Sequence, residues 1–173
     1  MEDIRSKFPQ LECKVYGKQL VYLDNAATAL RPREVMDKWM EMSSCLNSNL
    51  HRAVHHTANL ATEEYESTRE AVRAYLNADS VREIIFTSGA TASLNLLAYS
   101  FGERFVSKGD NIIVAESEHH SNIVPWQLLC LRKQAELRII KVKDNGELDL
   151  GSLESIIDCN TRLVCVAQIS NVL

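Results

Sequence analysis

Phe86-Thr87-Ser88-Gly89-Ala90-Thr91 leaves a short β-rich run, Glu83-Ile84-Ile85-Phe86, through a small-residue turn into a helical pattern beginning near Ala90. A strand that turns into a helix in this way aims several free backbone N–H groups at one point. The positive end of the helix dipole lies there too, which makes the turn a ready place for an anion. Gly89 permits close backbone approach, and the hydroxyls of Ser88 and Thr91 can add donors. The turn matches neither the Walker pattern nor G-x-G-x-x-G, so ATP or dinucleotide binding is not its first reading. The plain alternative is a well-capped α/β connection.

Two further polar breaks follow hydrophobic runs. One is Glu116-Ser117-Glu118-His119-His120-Ser121-Asn122, after Ile112–Val114; the other is Gln168-Ile169-Ser170-Asn171, after Leu163–Val166. Ligands of open parallel sheets collect beyond the carboxyl ends of the strands, so an anion cradle, an imidazole and a carboxamide can converge on one crevice. Each feature also has an ordinary reading. His119 and His120 can be a surface pair at a helix start, Asn171 can cap a strand end, and Trp126 after Pro125 can simply pack in a first helical turn. Adjacent histidines diverge on a helix, and no Cys/His/Asp set stands at zinc spacing, so no metal site is expected. His55 and His56 suit solvent or a subunit contact.

The elements that would position these residues form a regular series after an irregular start. Residues 2–8 suggest a short helix and Leu20-Val21-Tyr22-Leu23 a strand, followed by the polar loop Asp24-Asn25-Ala26-Ala27-Thr28. Pro32 suits a helix start with Val35, Trp39 and Met42 on one face, residues 47–57 read as a loop, and Ala61, Tyr65, Val72 and Leu76 mark a long amphipathic helix. Strand-like runs at 84–86, 112–114, 137–142 and 163–166 then alternate with helical segments near 91–106, 120–134 and 150–157. That alternation means βαβ units and a parallel sheet in a three-layer α/β/α arrangement.

With 173 residues the chain is one domain's worth, and its 46% hydrophobic and 24% charged content is ordinary for a globular protein. A net charge of −4 with interspersed signs gives no nucleic-acid footprint. No apolar run reaches the ~20 residues of a membrane span, and the N-terminus lacks the apolar core of a secretory signal. The five cysteines (13, 45, 130, 159 and 165) show no metal spacing and read as reduced thiols, several of them core-facing, in a cytoplasmic setting.

Taken together, Tyr22-Leu23-Asp24-Asn25-Ala26-Ala27-Thr28, Phe86-Thr87-Ser88-Gly89-Ala90-Thr91, Glu118-His119-His120-Ser121-Asn122-Ile123-Val124-Pro125-Trp126-Gln127 and Ser170-Asn171-Val172-Leu173 resemble the cysteine desulfurases. These are pyridoxal-phosphate enzymes of the class V aminotransferase group. The block around His119 points to the Suf-type cysteine desulfurase and selenocysteine lyase branch, while the block around Gly89 is more typical of the sister Nif/Isc-type branch. The resemblance spans essentially the whole chain.

It implies a fold-type I large domain, incomplete here, with residues 1–30 as an N-terminal segment and substrate-mouth loop and 31–173 as part of the cofactor-binding domain. Ala90 and Thr91 would hold the phosphate of pyridoxal 5′-phosphate. His119 would stack on the cofactor ring and take part in proton transfer, Asn171 would bond the cofactor's phenolic oxygen, and Ala26 and Ala27 would line the substrate mouth. Residues 51–57 would lie near a homodimer interface. The substrate would be L-cysteine, converted to L-alanine, and a sulfur-acceptor protein would be the further partner.

The chain departs from the family in what it lacks. The aspartate beside the ring nitrogen, the cofactor-holding lysine, the nucleophilic cysteine and the substrate-carboxylate arginine have no counterpart in it, and no lysine here stands in the Ser-x-His-Lys context. The expectation is therefore a sequence record cut short, inactive alone, with 84–86 deprived of its ladder partner and the isolated chain sticky, rearranged or completed by another polypeptide. The other readings are a non-catalytic module that pairs with a full-length subunit, and another fold-type I enzyme such as a kynureninase-like protein or an aminotransferase.

Overall fold

A computed structural model describes residues 4–52, 54–170 and 172. The chain divides between Ile85 and Phe86 into two compact units.

The first unit opens with 3-10 turns at Ile4–Lys7 and Pro9–Glu12. A hairpin of β1 (Lys14–Val15) and β2 (Lys18–Gln19) follows. Tyr16 (φ 52°) and Gly17 (φ 78°) are its two turn residues, the left-handed pair that a tight hairpin needs. The strand expected at Leu20–Leu23 is thus displaced. Those residues follow the hairpin without joining a ladder among the described residues. The apolar run was the wrong signal, because a two-stranded exposed hairpin draws on its turn rather than on hydrophobic alternation.

Helix α1 (Arg33–Cys45) begins after Pro32, as expected. Helix α2 (His56–Leu76) starts inside the stretch expected to be loop. The His55 ring caps it, accepting from the Ala58 N–H at 3.3 Å, a role that Ser, Thr, Asp or Asn normally fills. Its C-terminus ends on Asn77 in the left-handed conformation (φ 53°), with Ala78 N–H bonded back to Arg73 O. Residues 84–86, expected as a strand, join no ladder among the described residues. Ile84 is extended and buried, and its carbonyl accepts from the Arg69 guanidinium instead of from a neighbouring strand.

In the second unit, α3 (Ala90–Leu97) runs into a π-turn (Ala98–Gly102) and a last short turn, α4 (Glu103–Phe105). The expected single helix over 91–106 is therefore interrupted by a wider turn. Gly102 allows this segment to lie directly on Leu129, whose side chain occupies the place of the missing Cβ. β3 (Asn111–Ala115), α5 (Val124–Lys133), β4 (Glu136–Ile140), α6 (Leu150–Ile156) and β5 (Thr161–Cys165) follow. The strands form a parallel sheet in the order β4-β3-β5.

Register puts Ile112 beside Leu137 and Leu163, and Val114 beside Ile139 and Cys165. That face packs on Ala98, Val106, Trp126, Leu129 and Cys130. Ile113 is equally buried on the opposite face. Its β4 neighbour there is Arg138, whose guanidinium bonds the Ile156 carbonyl at the end of α6. Helices thus lie on both faces of β3, the layered arrangement expected. Burial on both sides explains why β3 is apolar throughout after Asn111.

Polar knots hold the amino ends of the strands. Asn111, fully buried, donates to Asp158 at 2.9 Å and accepts from the Thr161 hydroxyl at 2.8 Å. Asp110 pairs with Arg162 at 2.9 Å and accepts from the Ser107 N–H at 2.8 Å. Among the described residues no helix is long and apolar enough to cross a membrane.

Candidate functional site

At the start of α3, Gly89 has φ 148° and ψ 175°, a conformation that side-chain-bearing residues rarely adopt. No atom lies within 4 Å of the position its Cβ would take, so the conformation and not crowding calls for glycine. Thr87 shapes the turn: its hydroxyl accepts from the Gly89 N–H at 3.3 Å and lies 2.7 Å from the Ser93 hydroxyl. The first intrahelical bond runs from Ser93 N–H to Gly89 O at 3.0 Å. The N–H groups of Ala90 and Thr91 precede it, and helix geometry gives them no carbonyl. Both residues are exposed, and the Thr91 hydroxyl has no hydrogen-bond partner among the described residues.

Beyond the carboxyl end of β3 the chain is tied down by two carboxylates. Glu116 accepts from Lys141 Nζ at 3.0 Å and from the Val142 N–H at 3.1 Å. The Lys141 ammonium, helped by that N–H, holds the Glu116 carboxyl below the usual range. Glu118 reaches further. It accepts from the Ala167 N–H, just past β5, at 2.6 Å, and from the Asn122 amide at 2.7 Å. Asn122 in turn accepts from the indole N–H of buried Trp126 at 3.0 Å. The strand-end loops of β3 and β5 are therefore joined through one side chain.

His119 lies at the head of the 3-10 turn His120–Asn122, exposed, with its Nδ1 accepting from the Ser121 N–H at 3.1 Å and lying 2.8 Å from the Ser121 hydroxyl. Helix α3 packs against this same turn. The second unit thus holds the helix that follows the Gly89 turn and the His119 loop as neighbours. An apolar groove of about 330 Å³ opens beside them, with Leu94, Asn122, Trp126 and Cys165 among its walls. Burial, with the Glu118 carboxylate adding to it, pushes the Cys165 thiol up to about 11, and burial also raises Cys130. Neither is a thiolate near neutral pH.

Ala26 and Ala27 belong to the first unit. Their exposed turn is closed by the Thr28 N–H on Asp24 O at 3.1 Å and by the Tyr22 hydroxyl on Thr28 O at 2.8 Å. A cavity of about 300 Å³ lies beside it, lined in part by Tyr22, Leu23 and Asn25. Asn171 lies outside the described residues. No group of three or more metal-binding side chains is assembled among the described residues.

Glu118, Ser121 and Asn122 escaped the sequence reading as working residues. For Glu118 and Asn122 a signal was there: 118, 122 and 126 stand at steps of four, the spacing at which side chains meet along a helical turn; Ser121 carried none.

A model of the family described as "Aminotransferase class-V" matches residues 21–173. A probable cysteine desulfurase of Staphylococcus aureus is 46% identical over 173 residues, all of this chain and 42% of the relative. The apo structure of a cysteine desulfurase from Thermococcus onnurineus NA1 superposes with a TM-score of 0.85 at 36% identity, over 98% of this chain and 40% of that one. The cysteine desulfurase CsdA from Escherichia coli does so with a TM-score of 0.78 at 33% identity, over 96% of this chain and 41% of that one. The chain spans about two-fifths of the length of these relatives.

Proposed function

Because this chain belongs to the aminotransferase class-V family, whose large domain has the fold-type I α/β architecture described above, we propose that it carries the cofactor-phosphate and ring-facing part of a pyridoxal 5′-phosphate-dependent cysteine desulfurase. The observation that carries this reading is the anion turn at Ala90 and Thr91 on a helix that packs against the His119 loop. The residues fit the group. A phosphate needs converging N–H and O–H donors at the positive end of a helix, and unpaired N–H groups, an exposed threonine hydroxyl and open space above Gly89 supply them.

When bound, pyridoxal phosphate supplies an electron sink for the substrate's α-carbon. Ala90 and Thr91 hold the phosphate, His119 faces the ring, and Asn171 bonds the phenolic oxygen. Ala26 and Ala27, in an N-terminal segment of residues 1–30, line the substrate mouth, and residues 31–173 belong to the cofactor domain. The substrate is L-cysteine, the product L-alanine, and the sulfur passes as an enzyme-bound persulfide to an acceptor protein for iron–sulfur cluster assembly. The enzyme works as a homodimer in the cytoplasm, a setting that fits five free cysteines.

Pyridoxal 5′-phosphate titrated into the chain, followed by its fluorescence, tests the cradle. Inorganic phosphate should compete, and Thr91→Val should weaken binding by about tenfold, the value of one hydrogen bond to a charged group. Binding indifferent to both phosphate and Thr91→Val would remove the cofactor reading. A second reading, a non-catalytic module that pairs with a full-length subunit, draws support from the exposed Val35, Trp39 and Met40 of α1. Co-purification with a full-length relative, abolished by Trp39→Lys, would favour it.

A further inference from the structure

We infer that Ser121 is the positioning residue of His119: its backbone N–H and its hydroxyl both donate to one ring nitrogen, which leaves the ring proton on the other and holds the ring against rotation. The Ser121 N–H lies 3.1 Å from His119 Nδ1, and an amide N–H can only donate. Nδ1 therefore presents its lone pair, and the neutral imidazole keeps its proton on Nε2. The Ser121 hydroxyl, 2.8 Å from the same nitrogen, is then a second donor to it.

Backbone geometry supports the arrangement. His119 has φ −64° and ψ 144°, the extended conformation of a residue that caps the turn after it, so its ring folds back over its own turn. That turn is itself fixed. The Asn122 N–H bonds His119 O at 2.7 Å, and the Asn122 side chain is held between Glu118 and the Trp126 indole. Ser121 cannot swing away without breaking bonds on either side of it. The His120 ring stands 6.3 Å off at 61°, edge-on, and no bond to His119 Nε2 is present among the described residues. Nε2–H is thus the free end of the ring. On the cofactor reading above, which the use of this tautomer rests on, His119 offers cofactor and substrate a hydrogen bond from Nε2–H, its lone pair being committed to Ser121.

Long-range proton–nitrogen correlation spectra of the full chain test this, with His119 assigned by the signals that vanish in His119→Gln. Nδ1 should sit at the limiting nitrogen shift of an unprotonated ring nitrogen and Nε2 at that of a protonated one. Ser121→Ala should move both toward the tautomer average, and Ser121→Thr, which keeps the hydroxyl, should restore them. Averaged shifts in the unsubstituted chain, or a proton on Nδ1, would overturn the inference. Limiting shifts unchanged in Ser121→Ala would overturn the part given to the hydroxyl. No cofactor is needed for these measurements. Pyridoxal 5′-phosphate added afterwards should shift the His119 signals; a locked tautomer with no such response would sink the cofactor reading and leave the role of Ser121 standing.

Discussion

Glu118 accepts two protein donors that come from different parts of the second unit, one from the turn it precedes and one from the segment past β5. Its neighbours His119 and Ser121 owe their setting to that grip, since Asn122, the far end of the turn, is held by it. Glu118→Gln should therefore do more than its near-isosteric shape suggests. A glutamine carries one acceptor oxygen and one amide that can only donate, so either the Ala167 N–H or the Asn122 amide would face a donor. Losing one such bond costs about 1–2 kcal/mol, read as a lower urea midpoint. Amide exchange should speed up at both 119–122 and 167, because losing either bond frees the one side chain that also holds the other place. Faster exchange at only one of them would mean the two loops are held independently.

The strands are pinned differently at their two ends. At the amino ends Asp110 and Asp158 are committed to Arg162 and Arg138. The Arg162 guanidinium holds the Asp110 carboxyl below its ordinary range, with the Ser107 N–H assisting, and the Arg138 guanidinium does the same for Asp158, aided by the Asn160 N–H and Asn111. A carboxyl depressed in the folded state stabilises it above the unfolded value of about 3.9, and that stability is lost as pH falls through the lower folded value. The thermal midpoint should accordingly hold down to about pH 5 and fall steeply below pH 4, and Asp110→Asn should flatten part of that fall while lowering the neutral-pH midpoint. A fall of the same steepness in the variant would assign the acid lability elsewhere.

How much of this was legible follows from the same contrast. β3, β4 and β5 were readable because Ile112-Ile113-Val114, Leu137 with Ile139 and Ile140, and Leu163-Val164-Cys165 are β-rich stretches between polar breaks, and the Gly89 turn because a glycine opens a helix there. The β1–β2 hairpin was not, since Lys14, Lys18 and Gln19 show no alternation and its signal is the Tyr16-Gly17 turn. Ile84 to Phe86 read as a strand because apolar composition does not report the presence of a ladder partner, and only Ile84 of the three is buried. The π-turn inside 91–106 leaves no mark in composition either. For the site, His119 stood out by residue type. Its supports, Glu118 and Asn122, only gained meaning when Ala167 and Trp126 came within reach.

Across the whole chain, exposed apolar surface is unevenly guarded. Of the two outer strands of the parallel sheet, β4 carries Glu136 and Arg138, tied with Asp158 into a charged cluster. Charges of this kind discourage a second chain from adding a strand. β5 has no equivalent. Its one charge, Arg162, is turned to Asp110, and Val164 within it and Val166 just past its end stand 42% and 47% exposed. Both valines also line the apolar groove walled by Leu94, Trp126 and Cys165. An open strand edge flanked by apolar side chains is a template for another edge, and two copies of β5 offer each other the same surface. The chain should therefore show a mass that rises with concentration in sedimentation. Val164→Lys, at an exposed position that contributes nothing to the packed Ile112 face, should weaken that association by roughly tenfold, ~1.4 kcal/mol, while leaving the unfolding free energy read from urea titration within ~0.5 kcal/mol of its starting value. A chain that stays monomeric at every concentration would show that this edge is protected after all. Association that survives Val164→Lys but yields to Trp39→Lys would move the sticky surface from β5 to α1, whose Trp39 is 64% exposed.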